Sequence, residues 1–315
     1  MYKAKIDKTI ESLKLAVEMS KEFYRKPLII TYSGGKDSDV LLDIARKCLK
    51  PDEFEVLNSH TSVDAPETVY HIREVFDEVR GGGTKCTVHI PKDKDGKQIT
   101  MWNLIPKKKM PPTRMVRYCC TVLKETSIPN RIYAVGVRAN ESSGRENRDI
   151  FVTRGTTKKD PYRYYSLEHS QEVFEESKER GPIWDCTLIK QMRENKDIIV
   201  NPIYEWTDSD IWEYIRKNNV KYNPLYDRGY KRVGCIGCPL ANYKEMMKEF
   251  AEYPKIKDAY IRAFQRMIDQ YDDDRKRKRK DWKTGQDVFD WWTERWKNEV
   301  KGQMSLEDFI GEDGE

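Results

Sequence analysis

With 315 residues, 38% of them hydrophobic and 11% aromatic, the chain can build one large domain or two small ones around a sizeable core, which excludes a staple-dependent miniprotein. Charged residues make up 35%, and 58 lysines and arginines against 53 acids leave +5, compatible with polyanionic ligands but too small to imply nucleic-acid binding by itself. No apolar run approaches the roughly 18 residues of a membrane span, so a cytoplasmic location without membrane contact is expected.

Residues 5–25 place Ile6, Ile10, Leu13, Ala16 and Phe23 at helical intervals, and Pro27 breaks the pattern ahead of the apolar run Leu28–Tyr32. That run predicts a buried strand. It enters Ser33-Gly34-Gly35-Lys36-Asp37-Ser38, after which Val40, Leu41, Leu42, Ile44 and Ala45 resume a helical stripe. Further strands are predicted at 54–57, 86–90 and 132–136, with a helix from Pro66 to Val79. Alternation of this kind predicts an α/β fold, a doubly wound and mostly parallel sheet. Residues 138–184 are polar with little periodicity and read as long active-site loops or an insertion. Ile198–Val200 is another strand, and Thr207 caps an amphipathic helix that begins at Asp208. Beyond about 241 the pattern is helical. The division expected is a nucleotide-binding domain with the cysteine site at 1–245 and a helical C-terminal extension at 246–315. The run Arg275–Lys280, just after Asp272–Asp274, reads as a solvated helix face or linker, with phosphate contact the alternative.

Backbone N–H groups reach phosphate oxygens only where side chains do not obstruct them, and a helix N-terminus adds a favourable dipole. Ser33, Gly34, Gly35, Lys36, Asp37 and Ser38, lying between strand and helix, meet both conditions, and Lys36 supplies a mobile cation. The spacing is neither that of P-loop kinases and GTPases nor the G-x-G-x-x-G of dinucleotide folds. The loop resembles the pyrophosphate loop (PP-loop) of the adenine-nucleotide alpha-hydrolase superfamily, pattern S-G-G-x-D-S, whose HUP/Rossmann-like fold it implies. The resemblance also implies ATP cleavage between the alpha and beta phosphates with Mg²⁺, with Lys36, Asp37 and Arg138 in catalytic roles.

Seven cysteines in a chain without a secretory feature favour metal or redox chemistry over disulfides. Cys119–Cys120 and the distant Cys235-Ile-Gly-Cys238 are two thiol pairs, enough for a tetrahedral zinc or an iron–sulfur cluster. Cys48, Cys86 and Cys186 lack paired spacing and read as packing residues. The four histidines form no ligand array, although His60, just after a strand, is placed to line a nucleotide pocket.

The two pairs resemble the C-C-x-x-R-K and C-x-x-C motifs of cluster-binding sulfonucleotide reductases, the PAPS reductase (CysH) family. That resemblance implies a 4Fe-4S cluster on Cys119, Cys120, Cys235 and Cys238. Lys124 matches the motif lysine, while Leu123 stands where the family has arginine. Gly136-Val137-Arg138-Ala139-Asn140-Glu141-Ser142 is similar to the family's G-x-R-x-x-x-S, with Arg145 at a further anion-binding position. Trp206, Asp208, Asp210, Trp212 and Ile215, then Asn223–Tyr230, also resemble its landmarks. Gly136, Arg138 and Arg145 thereby join the nucleotide-site residues.

The reductases attack sulfur with a C-terminal cysteine, and none follows Cys238 here. Their loop is typically degenerate, whereas this one keeps Lys36 and Asp37. The combination looks more like the ATP-using sulfurtransferase branch, which includes DndC-like proteins. The function expected is therefore cleavage of ATP to AMP and pyrophosphate in adenylation-dependent sulfur transfer, with a small-molecule nucleotide and a sulfur donor as partners. Two alternatives stay open. One is an atypical sulfonucleotide reductase using an external thiol. The other is a non-catalytic nucleotide-binding subunit of a larger nucleic-acid defence assembly, docked through the helical tail with Phe289, Trp291, Trp292 and Trp296 at an exposed face, although a tryptophan stripe in a helix more often packs on its own domain. A nucleic-acid acceptor and homo-oligomerisation are open as well.

Overall fold

The computed structural model describes residues 2–125, 128–141, 148–153, 162–181, 186–194, 196–278 and 280–298. In chain order the elements are α1 (Tyr2–Tyr24), β1 (Leu28–Thr31), α2 (Lys36–Cys48), β2 (Phe54–Ser59), α3 (Pro66–Gly81), β3 (Cys86–His89), α4 (Met101–Lys108) and α5 (Tyr118–Leu123). They continue with β4 (Ile132–Ala134), β5 (Phe151–Thr153), β6 (Arg163–Tyr165), α6 (Leu167–Arg180), α7 (Thr187–Arg193), β7 (Ile198–Val200), α8 (Asp208–Asn218), α9 (Tyr243–Glu252), α10 (Pro254–Asp269), α11 (Asp273–Lys278) and α12 (Gly285–Asn298). The chain divides into two units: the first takes residues 1–59, 66–89 and 127–233, the second 60–65, 90–126 and 234–315.

The first unit holds the sheet, in order β3-β2-β1-β4-β7-β5-β6. Every pair from β3 to β7 is parallel, as the alternation of strands and helices predicts. Parallel strands are covered by helices on both faces, and Leu28, Ile29, Ile30, Val56, Ile132 and Ala134 accordingly lose almost all their solvent contact. The order reverses direction between β1 and β4. Loops leaving such neighbouring strands in opposite senses open a crevice at their carboxyl ends, the usual ligand position in this class of sheet.

The 138–184 segment, expected as long loops or an insertion, carries regular structure among its described residues. It contributes β5 and β6, antiparallel to β7 and to each other, and the helix α6 capped by Ser166. Strands of three residues carry no usable alternation; β7 supplies the register instead, pairing Phe151 with Val200.

The second unit is helical and aromatic-rich. Trp292 of α12 packs against Tyr260 and Phe264 of α10, at 5.1 and 5.4 Å between ring centroids, and its indole Nε1–H donates to the Pro112 carbonyl at 2.7 Å. Phe289 stacks edge-on to Phe250 of α9 at 5.0 Å. Phe289 and Trp292 are thus interior, and Trp291 leans on Trp282 at 4.8 Å. This corrects the exposed partner face considered for the stripe: on this amphipathic helix the aromatics bury against their own unit. The side chain of Trp296 lies outside the described residues. No helix among the described residues is long and apolar enough to cross a membrane.

Candidate functional site

β1 ends at Thr31, and Ser33–Gly35 carry the chain into α2 with Gly35 at the N-cap position and no side-chain cap. An uncapped helix start leaves its first N–H groups for an incoming acceptor and presents the positive end of the dipole. Gly34 has φ +72°, and a Cβ there would stand 2.9 Å from Ile72 Cγ1 and 3.1 Å from Thr68 Cγ2. Its carbonyl accepts from Asn223 Nδ2 at 3.0 Å, and the same amide donates to Thr68 Oγ1 at 3.0 Å. The Ser38 hydroxyl closes the turn by donating to the Gly35 carbonyl at 2.7 Å. Gly34→Ala is therefore expected to cost about 1–3 kcal/mol of stability, from left-handed backbone strain and overpacking together. Urea unfolding would measure the cost, and calorimetry the accompanying loss of nucleotide affinity.

Beneath the loop, Tyr32 Oη donates to Asp39 Oδ1 at 2.5 Å, and His71 Nε2 meets the same oxygen at 2.9 Å. Burial pushes the Asp39 carboxyl up, against the lowering influence of His71 and Tyr32. This network ties the end of β1, the first turn of α2 and α3 into one rigid seat.

Two buried cations stand at the loop. Lys36 and Arg138 retain 6% and 5% of their exposure. Arg138 Nε approaches Asp37 Oδ1 at 2.6 Å and its Nη2 reaches Asp208 Oδ1 at 3.2 Å. Lys36 Nζ lies 3.1 Å from the same Asp208 oxygen, 3.9 Å from Asp37, and 5.3 Å from the centre of the Tyr226 ring. The Tyr226 hydroxyl accepts from the Lys36 N–H at 3.1 Å. Gly136 lets the end of β4 pass close to α2: a Cβ there would sit 3.3 Å from the Asp37 carbonyl carbon. The sheet order thus brings Lys36, Asp37, Gly136 and Arg138 together. Asp208, Asn223 and Tyr226 join them, although the sequence marks these three only as landmarks. Asp37 Oδ1 is buried without an aligned hydrogen bond, and magnesium is usually held by one or two carboxylates plus substrate phosphates. Asp37 and Asp208 fit that need. Ser142 and Arg145 lie outside the described residues.

The paired cysteines all fall in the second unit, as does His60, whose Nδ1 is 3.9 Å from Asp64. Cys119 and Cys120 occupy the first turn of α5. Cys235 bridges backbone-to-backbone with Asp64, and its thiol donates to Thr61 Oγ1 at 3.5 Å. The Cys235–Cys238 turn is pinned from three sides: Tyr260 Oη donates to the Ile236 carbonyl at 3.0 Å, Gly237 N–H donates to Glu249 Oε2 at 2.8 Å, and Phe250 fills the space where a Gly237 Cβ would be. Gly237 has φ +70°, so glycine is required there.

A hydrogen bond from the Cys119 thiol draws Cys120 down to about 6, against its burial and helped by Lys124 and Arg117. Cys235, then Asp64 and Cys238, hold the Lys124 ammonium charged above the usual lysine range. Burial pushes Cys235 up to about 11, opposed by Lys124. Among the described residues no three His, Cys, Asp or Glu side chains converge as they would around a single metal ion. The donor chemistry, four thiols in one unit beside a retained cation, suits a thiolate-bound group, either zinc or an iron–sulfur cluster. Cys48 and Cys86 lie in the first unit, and burial pushes both thiols up to about 11, which keeps them protonated and poorly nucleophilic near neutral pH.

Comparison with known proteins gives a family match over residues 27–241, to the phosphoadenosine phosphosulfate reductase domain. An uncharacterized protein of Methanocaldococcus jannaschii is 27% identical over 244 residues, covering 78% of this chain and 48% of that protein. With 41% covered in a second M. jannaschii relative, the chain spans about half the length or less of these curated proteins. Adenosine 5'-phosphosulfate reductase of Anoxybacillus flavithermus is 24% identical, with 71% of this chain and 77% of that protein covered. The phosphate complex of phosphoadenylyl-sulfate reductase from Candida auris overlays with a TM-score of 0.44 at 17% identity, covering 73% of this chain and 89% of that one.

Proposed function

Because the chain belongs to the phosphoadenosine phosphosulfate reductase domain family, and because its loop keeps a lysine where a triphosphate tail would lie, we propose that it cleaves ATP to AMP and pyrophosphate in adenylation-dependent sulfur transfer. The single observation that carries this reading is the Lys36–Arg138 pair, two buried cations at an uncapped helix start, matched by Asp37 and Asp208. Two positive charges that share the same two carboxylates as counter-ions are what a tetraanionic ligand would exchange into.

In the proposed reaction an acceptor oxygen attacks the alpha-phosphorus and the bond to the bridging oxygen of the beta phosphate breaks. Pyrophosphate leaves on the loop, where Lys36 and the N–H groups of α2 take up the charge that develops. Arg138 orients the alpha phosphate, and a sulfur nucleophile then displaces AMP from the adenylated acceptor. Magnesium, when bound through Asp37 and Asp208, neutralises phosphate oxygens. Cys119, Cys120, Cys235 and Cys238 would hold a 4Fe-4S cluster, which supplies sulfur-handling and redox capacity. The Cys235 thiol and Asp64 favour the charged form of Lys124 beside these cysteines.

The reductase reading rests on the relatives named adenosine 5'-phosphosulfate reductase. It needs a thiol to attack sulfur, and the raised Cys48 and Cys86 thiols do not serve. The test is an anaerobic incubation with magnesium and either ATP, with water standing in as the acceptor oxygen so that one attack gives AMP and pyrophosphate, or an adenylyl sulfate with added thiol, with AMP, pyrophosphate and sulfite quantified. AMP and pyrophosphate in equal amounts from ATP are expected. Thiol-dependent sulfite from the adenylyl sulfate, with ATP left intact, would replace this proposal with the reductase.

A further inference from the structure

Between Gly96 and Lys124 the sequence carries seven basic residues and no acid, although the whole chain holds 53 acids. Within the second unit this stretch forms α4, the turn after it and α5. Lys107, Lys108 and Arg117 are exposed. Arg275 joins them from far along the chain: its Nη1 donates to the Lys109 carbonyl at 3.1 Å, where Tyr271 Oη also donates at 3.3 Å. Lys108 Nζ stands 5.9 Å from the ring centre of Tyr118, the residue that precedes Cys119.

What distinguishes Lys107, Lys108, Lys109, Arg117 and Arg275 is the lack of counter-charges among the described residues. In the first unit several lysines are closely neutralised: Lys5, Lys47, Lys217 and Lys221 each have a carboxylate oxygen within 2.6 Å. Among the described residues no carboxylate pairs with Lys107, Lys108, Lys109, Arg117 or Arg275. Of the acids near Arg275, Asp269 accepts from Gln265 at 3.0 Å and Asp272 from the Arg275 N–H at 2.8 Å.

Beside these cations α4 and α10 leave a surface cleft of about 440 Å³, whose walls include Trp102, Asn103, Lys107, Arg266 and Gln270. Trp102 is half-buried, fixed edge-on to Tyr260 at 5.2 Å, and its carbonyl accepts from Arg266 at 2.8 Å. A rigid indole, two carboxamides and two cations in one cleft match a base with its phosphate. Cations without counter-ions that continue beyond the cleft match further phosphates.

We propose that this face of the second unit binds single-stranded nucleic acid, with a base against Trp102 and the backbone along Lys107, Lys108, Arg117 and Arg275. It names the acceptor class for the sulfur transfer proposed above and rests on that reading only for the chemistry. Binding is separable and is measured without ATP.

The test is fluorescence anisotropy of a labelled oligonucleotide of about 12 nucleotides, as RNA and as DNA, across a salt series. For the full chain, the Lys107→Glu/Lys108→Glu/Arg275→Glu variant is expected to bind at least ~10-fold more weakly, with the salt slope shallower by roughly 0.7 for each phosphate that is no longer neutralised. Trp102→Leu, which keeps apolar bulk against Tyr260, is expected to weaken binding roughly tenfold while leaving that slope unchanged. Absence of binding, or binding indifferent to both variants, would overturn the proposal. So would heparin binding as tightly as the oligonucleotide with no effect of Trp102→Leu, which marks a general polyanion surface. ATP cleavage to AMP and pyrophosphate, assayed on the same preparations, reports separately on the reading of the first unit.

Discussion

Replacing Lys36 by alanine is expected to lower production of AMP and pyrophosphate from ATP by about 10²–10³-fold, the usual cost of removing one preorganised charge-stabilising donor. The effect comes from where the charge sits. Lys36 is buried at the helix start, so water cannot take over its role, and its removal leaves Asp37 and Asp208 facing the triphosphate with one cation fewer. Charge on the beta phosphate grows as pyrophosphate departs, so kcat falls more than KM rises. The fold survives the change: Asp37 keeps its contact with Arg138, and Asp208 is largely solvated, with 61% of its side chain exposed. Arginine at position 36 is not expected to rescue, because its planar fork needs more room than a lysine that is already 6% exposed leaves. Initial-rate assays over a range of ATP concentrations would separate the two constants. An unchanged kcat in a correctly folded Lys36→Ala protein would remove the loop from the chemistry.

The loop is legible in the sequence because its signals are local. A doubly buried strand reads as the unbroken run Leu28–Tyr32, and Gly34, Lys36 and Ser38 follow within one turn of the helix they start. The paired cysteines are legible for the same reason, since spacing within each pair is a property of adjacent residues. What escapes the sequence is whatever distant segments decide. That Asp208 pairs with Lys36 and Arg138, or that Asn223 holds Gly34, follows from the position of β4 and β7 in the sheet, which no local pattern encodes. The three-residue strands β5 and β6 are too short for periodicity, and α4 is disguised by Pro106 inside it, though the capping box of Thr100 and Asn103 marks its start. The aromatic stripe of α12 has a legible period, but only the positions of Phe250, Tyr260 and Phe264 decide that it faces inward.

Serine at Cys119, Cys120, Cys235 or Cys238 is expected to abolish iron binding, from about four irons per chain in the anaerobically purified protein to fewer than one. A hydroxyl is not deprotonated near neutral pH and is a poor ligand for iron–sulfur centres, so each site loses a thiolate without losing much volume. The four are not equivalent in the metal-free protein. Cys120 is the readily ionised member, assisted by Cys119, whereas Cys235 is held up to about 11 by burial and relies on Lys124 for the opposing pull. Ligation must therefore expel the Cys235 proton, and metal loading coupled to proton release should fall as pH is lowered. Lys124→Met removes that pull while keeping the side chain's reach, and is expected to slow reconstitution without abolishing it. Cys48→Ser and Cys186→Ser are the controls: neither residue belongs to the second unit, and iron content should match the parent. Iron, sulfide and zinc analysis with visible absorption spectra gives the readout. Stoichiometric zinc without iron in the parent protein, lost on the same four substitutions, would keep the cysteines as a metal site but remove the cluster from it. Full iron content in Cys235→Ser and Cys238→Ser would remove the turn that Gly237, Glu249 and Tyr260 hold in place from any part in ligation.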